Sequence, residues 1–170
     1  KYAEECGAPF VCGRWLGGTL TNYGEVMNLV RHFNDLKAKQ AAGALSKYTK
    51  KEQSNFSKEI EDLEEKVGGI KNVVRPPDAI FVIDIMKEKT AVAEAITRKI
   101  PIIALTDTNV NPELVAYPIP SNDDAVKTIE LMTKLIAEAV KEGKALREKQ
   151  AMAVDKEKLT AVAVDAPVGK

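Results

Sequence analysis

The sequence has few of the side chains that most often bind metals. Its 170 residues include two cysteines, Cys6 and Cys12, and one histidine, His32. A structural zinc site takes about four cysteine or histidine ligands, so this set is too small. We therefore interpret both cysteines as reduced structural thiols, and we expect neither a metal site nor a cofactor.

A long hydrophobic segment is also lacking. No stretch approaches the roughly 18 consecutive apolar residues that a membrane-spanning helix needs. Glu4 and Glu5 stand where a signal peptide would be apolar. These absences predict a soluble intracellular protein without a membrane partner. The chain does not begin with Met, and residues 1–6 resemble the last turns of a helix, so we expect an N-terminal part to be missing.

Neither sign of charge is in excess, because 25 basic residues balance 25 acidic residues. This balance excludes a simple polycation that coats nucleic acid through its net charge. Any contact with RNA must then depend on local segregation of charge along the chain.

Helical periodicity dominates residues 23–67. Apolar residues recur at spacings of three and four in two runs, namely Val26, Val30 and Phe33, and then Phe56, Ile60, Leu63 and Val67. Gly43 lies in the break between the runs. The pattern predicts an antiparallel helical hairpin, each helix of which is long enough to protrude from a compact body.

The charges of this hairpin are segregated. Residues 59–66 are mainly acidic, whereas six lysines precede them: Lys37, Lys39, Lys47, Lys50, Lys51 and Lys58. Two interpretations remain open. A solvated helix face with ion pairs is favoured by spacing alone, and a basic hairpin end that contacts phosphate is the alternative.

From residue 78 onward, strand and helix patterns alternate. The apolar runs at residues 79–83 and 102–105 predict strands buried on both faces. Residues 90–99 fit a short helix, which ends before Pro101. A helix between two such strands predicts a parallel crossover and an α/β fold.

A long helix is predicted after an extended segment at residues 117–120. Ser121 or Asn122 caps it, its broad apolar face packs on the sheet, and it ends near Gly143. Residues 148–170 carry neither strand nor turn patterns, and we expect them to form a flexible tail.

The N-terminal residues 9–22 predict a short strand at residues 10–11, followed by a loop with a tight turn at residues 17–18. Trp15 lies beside Arg14 in this loop. Its indole could stack on a base, or it could pack on the core with its nitrogen bonded. Both alternatives remain open on the sequence.

Two aspartates provide the main indication of an enzyme. Asp84 and Asp107 each follow a predicted parallel strand, at the sheet edge where α/β proteins hold ligands and catalytic carboxylates. A metal- or phosphate-dependent enzyme could use them together with Thr106 or Asn109. Without a glycine-rich phosphate loop or a nucleophile motif, we favour a role in turns for both aspartates.

Four segments, in this order, resemble the ribosomal protein S-2 family over residues 1–147. They are residues 14–22 (RWLGGTLTN), residues 68–71 (GGIK), residues 77–84 (PDAIFVID), and a last segment from Ile100-Pro101 through Asp107-Thr108-Asn109 to residues 117–125 (YPIPSNDDA).

The resemblance implies a three-layer α/β/α fold with a mainly parallel, flavodoxin-like sheet and an inserted antiparallel helical hairpin. The implied body comprises residues 1–27 and 70–147 and is incomplete at its N-terminus. Residues 28–69 would form the protruding hairpin and residues 148–170 the flexible tail.

The resemblance also implies a role. Members of the family are structural constituents of the small ribosomal subunit, where they bind small-subunit rRNA and neighbouring ribosomal proteins and so support translation. A large multi-domain RNA-binding protein of the small subunit is among the implied partners, and DNA is not. We thus expect a protein that is not an enzyme, located in cytoplasmic or organellar ribosomes.

Candidate contacts with rRNA follow from the loop motif and the basic hairpin end together. They are Arg14, Trp15 and Asn22 in the loop, and Lys37, Lys39, Lys47, Lys50, Lys51 and Lys58 in the hairpin.

Overall fold

A parallel sheet of three strands lies in the segment Ala8–Ile129, which is one of two compact units of the chain. The second unit combines Lys1–Gly7 with the residues from Glu130 onward. The computed structural model describes the backbone of residues 1–164 and the side chains of residues 1–150.

Helices and strands follow one another in an order that matches the predicted alternation. The helices are α1 (Tyr2–Glu5), α2 (Tyr23–Ala41), α3 (Lys50–Val67), α4 (Lys89–Thr97) and α5 (Val126–Val164). The strands are β1 (Ile80–Val82), β2 (Ile102–Thr106) and β3 (Tyr117–Pro120). Short 3₁₀ turns occur at Ala44–Lys47, Gly68–Ile70 and Pro112–Leu114.

The sheet has the order β1-β2-β3, and both pairs of neighbouring strands are parallel. Ile80 of β1 is opposite Ile102 of β2, and Ile103 of β2 is opposite Tyr117 of β3. The helix α4 forms the crossover between β1 and β2, as the sequence predicted. The α/β class with a parallel sheet and flanking helices is thus confirmed.

Burial differs between the strands because only β2 has a neighbour on each side. Ile102, Ala104 and Leu105 of β2 are buried. In β1, Ile80 and Phe81 are only half-buried. The prediction of burial on both faces is therefore wrong for residues 79–83, since an edge strand is less enclosed than a central one.

Two prolines lie in β3, on the side of the strand that faces away from β2. The N–H of Ser121 donates to the carbonyl of Thr106, so the alternate positions, Pro118 and Pro120, present their nitrogens away from β2. Proline has no N–H group, so this edge offers no donor at either position. The arrangement disfavours pairing of a further strand with β3.

Helices α2 and α3 share a hydrophobic cluster, as their periodicity predicted. Its buried members are Val26, Met27, Val30, Phe33, Leu36, Ile60, Leu63, Val67 and Ile70. Gly43 adopts a left-handed conformation (φ 67°) in the connection between the helices. Glycine adopts this conformation with little strain, and the chain reverses there.

No strand forms at residues 10–11, contrary to the prediction. The N–H of Phe10 instead donates to the carbonyl of Gly69 at 3.1 Å. A Cβ on Gly69 would lie 2.1 Å from the carbonyl oxygen of Phe10, so no larger residue fits at this junction.

The start of α5 was predicted wrongly at Ser121 or Asn122, since the helix begins only at Val126. The side-chain oxygen of Asn122 accepts the N–H groups of Asp124 (3.2 Å) and Ala125 (2.7 Å) and so closes a separate turn. Asparagine readily forms such side-chain turns, which compete with helix capping.

The end of α5 was also predicted wrongly. The helix continues through Gly143 to Val164, so residues 148–164 are helical rather than irregular. Gly143 does not have the positive φ of a terminating glycine. Alanine, leucine, lysine, arginine and glutamate follow it, and these residues favour helix. The flexibility of the tail stays a prediction, and residues 165–170 lie outside the described residues.

The N-terminal residues bond to α5 within their own unit. The hydroxyl of Tyr2 donates to Glu130 at 2.8 Å, and this bond and burial raise the pKa of Tyr2. The ammonium of Lys144 donates to the carbonyls of Cys6 (2.7 Å) and Gly7 (3.0 Å). Both predicted thiols are free, Cys6 being buried and Cys12 exposed. The proposed division into body, hairpin and tail stays a prediction.

Candidate nucleic-acid interface

The connection between α2 and α3 is a well-bonded turn, which we call the hairpin end (residues 42–51). Thr49 begins α3 with a capping box, in which Thr49 accepts the N–H of Glu52 and Glu52 accepts the N–H of Thr49. The amide of Gln53 donates to the carbonyls of Ser46 (3.3 Å) and Tyr48 (2.8 Å). These bonds give the exposed lysines of the turn a fixed backbone.

Three lysines of the hairpin end are exposed: Lys47, Lys50 and Lys51. None of them forms an ion pair within the described part of the chain. Lys50 and Lys51 also occupy the first turn of α3, where the helix dipole disfavours positive charge. Helix stability therefore does not account for their position, whereas a phosphate would interact favourably with both lysines and the helix end.

Two of the predicted contacts are ion-paired instead. Lys37 pairs with Glu64, and Lys39 pairs with Asp35 at 2.6 Å. The hydrogen bond to Asp35 raises the pKa of Lys39. A phosphate would have to compete with these carboxylates, so both lysines are weaker candidates. Lys58 is exposed on α3, without an ion pair in the described residues.

The loop before α2 is organised by a carboxylate that sequence reasoning missed. Glu94 of α4 is only 7% exposed. One oxygen, Oε1, accepts the indole N–H of Trp15 (3.3 Å) and the N–H of Gly18 (2.7 Å). The other oxygen, Oε2, accepts the N–H groups of Leu20 (2.8 Å) and Thr21 (3.1 Å), and the hydroxyl of Thr21 (3.2 Å).

These donors favour the ionised form of Glu94. Burial by itself would raise the pKa of this carboxyl, but the N–H groups of Leu20, Gly18 and Thr21 and the indole of Trp15 offset it. The pKa of Glu94 therefore lies below its ordinary value. The buried negative charge thus binds the loop at four residues, namely Trp15, Gly18, Leu20 and Thr21.

The sequence contained one indication of this role, which is the position of Glu94 on the apolar face of its helix. Ala91, Val92 and Ala95 of α4 are buried, and Glu94 lies on the same face. An acidic residue on an apolar helix face needs several donors to compensate for its burial. A single sequence does not show where those donors come from, since they are 73 or more residues away along the chain.

Trp15 is half-buried against the hydrophobic cluster of the sheet, and its indole nitrogen is bonded to Glu94. This placement favours the core-packing alternative over base stacking. Arg14 and Asn22 are exposed on either side. The contact of all three residues with RNA stays a prediction.

The structure does not bring all the predicted contact residues together. Asn22 precedes α2, and the hairpin end follows it. The 19 residues of α2 span about 28 Å at the usual helical rise. The loop residues and the basic hairpin end therefore form two separate surfaces.

The two strand-end aspartates are engaged in local bonds. Asp84 accepts the N–H of Lys87 (2.8 Å) and pairs with its ammonium (2.9 Å). Burial would raise the pKa of Asp84, but these bonds to Lys87 bring it below its ordinary value. Asp107 accepts the N–H of Thr108 (2.7 Å) and the amide of Asn122 (3.1 Å). Such bonds are typical of turn-forming aspartates.

Comparison with known families gives a match that includes both surfaces. The family described as "Ribosomal protein S2" matches residues 1–143 of the chain. The chain belongs to this family. The match extends from α1 through the hairpin and the sheet into α5, and it confirms the family resemblance drawn from the four sequence segments.

Curated relatives support the same assignment, and each is named "Small ribosomal subunit protein uS2". The protein of Campylobacter fetus subsp. fetus is 45% identical over 148 residues, which are 87% of this chain and 57% of the relative. That of Campylobacter jejuni is 46% identical over 148 residues, or 87% and 56%. That of Campylobacter lari is 43% identical over 160 residues, or 94% and 61%. The chain thus spans little more than half the length of these relatives.

Two general features bear on other functions. Among the described residues, no helix is long and apolar enough to cross a membrane. The described residues also contain no group of three or more histidine, cysteine, aspartate or glutamate side chains placed to hold a metal ion.

Proposed function

We propose that this chain is a structural component of the small ribosomal subunit and that it binds small-subunit rRNA and neighbouring ribosomal proteins. The role is structural and not enzymatic, and its site is the ribosome in the cytoplasm, or in an organelle if the source is organellar. Family membership and the names of the relatives support the proposal.

One observation supports the hairpin end as an RNA contact. Lys47, Lys50 and Lys51 are exposed and without ion pairs in the described part of the chain, on a turn that is fixed by the Thr49 capping box. Lysines bind phosphate through charge and contribute no base readout, so this contact would position the protein rather than select a sequence. Contacts with the large multi-domain RNA-binding protein of the small subunit belong to the same proposal.

Charge reversal at the hairpin end tests the RNA contact. We expect the triple variant Lys47→Glu, Lys50→Glu and Lys51→Glu to incorporate poorly into small subunits, because glutamate repels phosphate. Its circular dichroism spectrum should be unchanged, since all three side chains are exposed. Incorporation is measured by sedimentation of a tagged chain through a sucrose gradient at low magnesium, where the subunits separate.

A matched control changes the charge equally at other exposed lysines. The variant Lys89→Glu, Lys127→Glu and Lys149→Glu has the same net charge and should incorporate like the unchanged chain. Equal incorporation of both triple variants would disprove the role of the hairpin end. If the unchanged chain stays at the top of the gradient, the ribosomal role itself is wrong.

A further inference from the structure

A second basic surface, besides the hairpin end, lies on the sheet unit. It is a surface cleft of about 380 Å³ beside the beginnings of β1 and β2. The residues that line it are Pro76, Pro77, Asp78, Thr97, Arg98, Lys99 and Ile100. We call it the α4 cleft, because the last residues of α4 and those directly after it form one wall.

The charge of the α4 cleft is positive. Arg98 and Lys99 are exposed, and neither forms an ion pair within the described residues. Asp78 is the acidic residue of the lining, and its carboxylate is bound by Arg75 at 2.7 Å. Two positive side chains therefore remain uncompensated beside an acid that is already neutralised.

The backbone of Lys99 makes this surface unusual. Lys99 has a φ of 56° and is the one non-glycine residue with positive φ among the described residues. It ends α4 in a Schellman motif, in which Lys99 N–H donates to the Ile96 carbonyl (3.0 Å) and Ile100 N–H to the Ala95 carbonyl (2.9 Å). Glycine adopts this conformation without strain, whereas lysine does not.

Helix stability does not account for a lysine at this position. A cation near a helix C-terminus is favourable, but the effect is of similar size to the strain of a left-handed residue. Arg98 provides a cation at the same end of α4 without that strain, since its φ is negative (−88°). The side chain of Lys99 is thus present where the backbone favours glycine.

We propose that the α4 cleft binds the sugar–phosphate backbone of RNA through Arg98 and Lys99. Both side chains bind phosphate, Arg98 in a forked geometry and Lys99 as a point charge. Pro76 and Pro77 offer an apolar wall, against which a ribose can lie. The inference rests on the proposed function, because it adds a second rRNA contact to the one at the hairpin end.

The salt dependence of binding to purified small-subunit rRNA tests the proposal on the full 170-residue chain. Each phosphate contact contributes about 0.9 to the slope of log affinity against log salt concentration. At ~0.1 M salt, one contact therefore strengthens binding about eightfold relative to ~1 M salt. We expect the variant Arg98→Gln with Lys99→Gln to lose roughly two contacts and so to bind on the order of 60-fold more weakly. The control Lys89→Gln, an exposed lysine at the other end of α4, should bind like the unchanged chain.

A second variant separates binding from folding. Lys99→Gly removes both the charge and the strain, so we expect about eightfold weaker binding at ~0.1 M salt together with an unfolding temperature that is equal or higher. A loss of stability alone would lower both quantities. Unchanged affinity and slope in Lys99→Gly would overturn the assignment of Lys99.

The outcomes distinguish the α4 cleft from the proposed function. If the hairpin-end triple variant loses affinity while Arg98→Gln with Lys99→Gln keeps it, the inference about the cleft fails and the ribosomal role stands. If the chain without substitutions does not bind rRNA, both the inference about the cleft and the proposed function are wrong. Equal losses in the cleft variant and in Lys89→Gln overturn the cleft as a specific surface.

Discussion

Replacement of Glu94 by glutamine should strongly destabilise the protein, although the two side chains have nearly the same shape. The carboxylate of Glu94 accepts five hydrogen bonds with its two oxygens. Glutamine keeps one oxygen and places an NH₂ group where the other stood. That NH₂ group is a donor and cannot bond to the N–H groups that it faces, although the hydroxyl of Thr21, beside Oε2, can still accept from it.

The magnitude follows from the number of donors that lose their acceptor. If the amide nitrogen replaces Oε1, the indole of Trp15 and the N–H of Gly18 are left unbonded. If it replaces Oε2, the N–H groups of Leu20 and Thr21 lose their acceptor. A buried donor without an acceptor costs about 1–3 kcal/mol, and all of these donors except that of Leu20 are only partly buried, so we expect a loss of roughly 3 kcal/mol in the free energy of unfolding. This is a large part of the about 5–15 kcal/mol that stabilises a typical domain.

Urea unfolding at pH 7 measures this loss, with circular dichroism and the fluorescence of the single tryptophan, Trp15, as probes. The control Glu61→Gln changes an exposed residue of α3 and should alter the free energy of unfolding by less than about 0.5 kcal/mol. A loss of less than about 1 kcal/mol in Glu94→Gln would refute the reasoning, because two unsatisfied donors cost more.

The pH dependence gives an independent check. The pKa of Glu94 is lower in the folded than in the unfolded state, so its ionisation stabilises the fold above the unfolded-state pKa. That contribution disappears as the pH falls from about 4.5 through the lower folded-state pKa. The difference in stability between the unchanged protein and Glu94→Gln should therefore narrow on acidification.

Two further substitutions are expected to act in opposite directions. Gly69→Ala should prevent stable folding, because the added Cβ would overlap the carbonyl of Phe10. Gly24→Ala should raise the free energy of unfolding by up to about 1 kcal/mol, because no atom lies within 4 Å of the added Cβ and alanine favours helix. Thermal melts compare the two variants. Asp123→Asn should raise the melting temperature at pH 7 but not at pH 3. Burial, and then nearby aspartates, raise the pKa of Asp123, so its ionisation costs stability as the pH rises. An equal rise at both pH values would contradict this reasoning.

The helices and strands that the sequence predicted best are those in which periodicity extends over several turns or a continuous apolar run. The apolar spacings of α2 and α3 correspond to their buried faces, and the β2 run corresponds to the central strand. Errors occurred where a local pattern depends on its neighbours. Burial of β1 depends on strand order, and Asn122 can form either a helix cap or a separate turn.

The candidate site was predicted in part. The basic hairpin end follows from charge segregation along the chain, which a single sequence displays directly. The ion pair of Lys37 with Glu64 does not, because it depends on how α2 and α3 pack, whereas Lys39 and Asp35 are four residues apart on one helix and their spacing allows a pair. Strain at Lys99 was equally hidden, since a left-handed conformation of lysine has no local sequence pattern.

Glu94 has a consequence for the hairpin as well as for its own loop. The loop that it holds contributes Trp15 and Leu20 to the hydrophobic cluster of the sheet, and Leu16 to the cluster of the hairpin. Tyr23 begins α2 directly afterwards, so the first residue of the hairpin follows a segment that is fixed by five bonds. Where the chain leaves the hairpin after α3, the carbonyl of Gly69 accepts the N–H of Phe10. Two junctions therefore hold the hairpin on the sheet unit, and Glu94→Gln should loosen one of them. If rRNA binding depends on the direction in which the hairpin points, this substitution should weaken binding even though Glu94 is buried and far from the lysines.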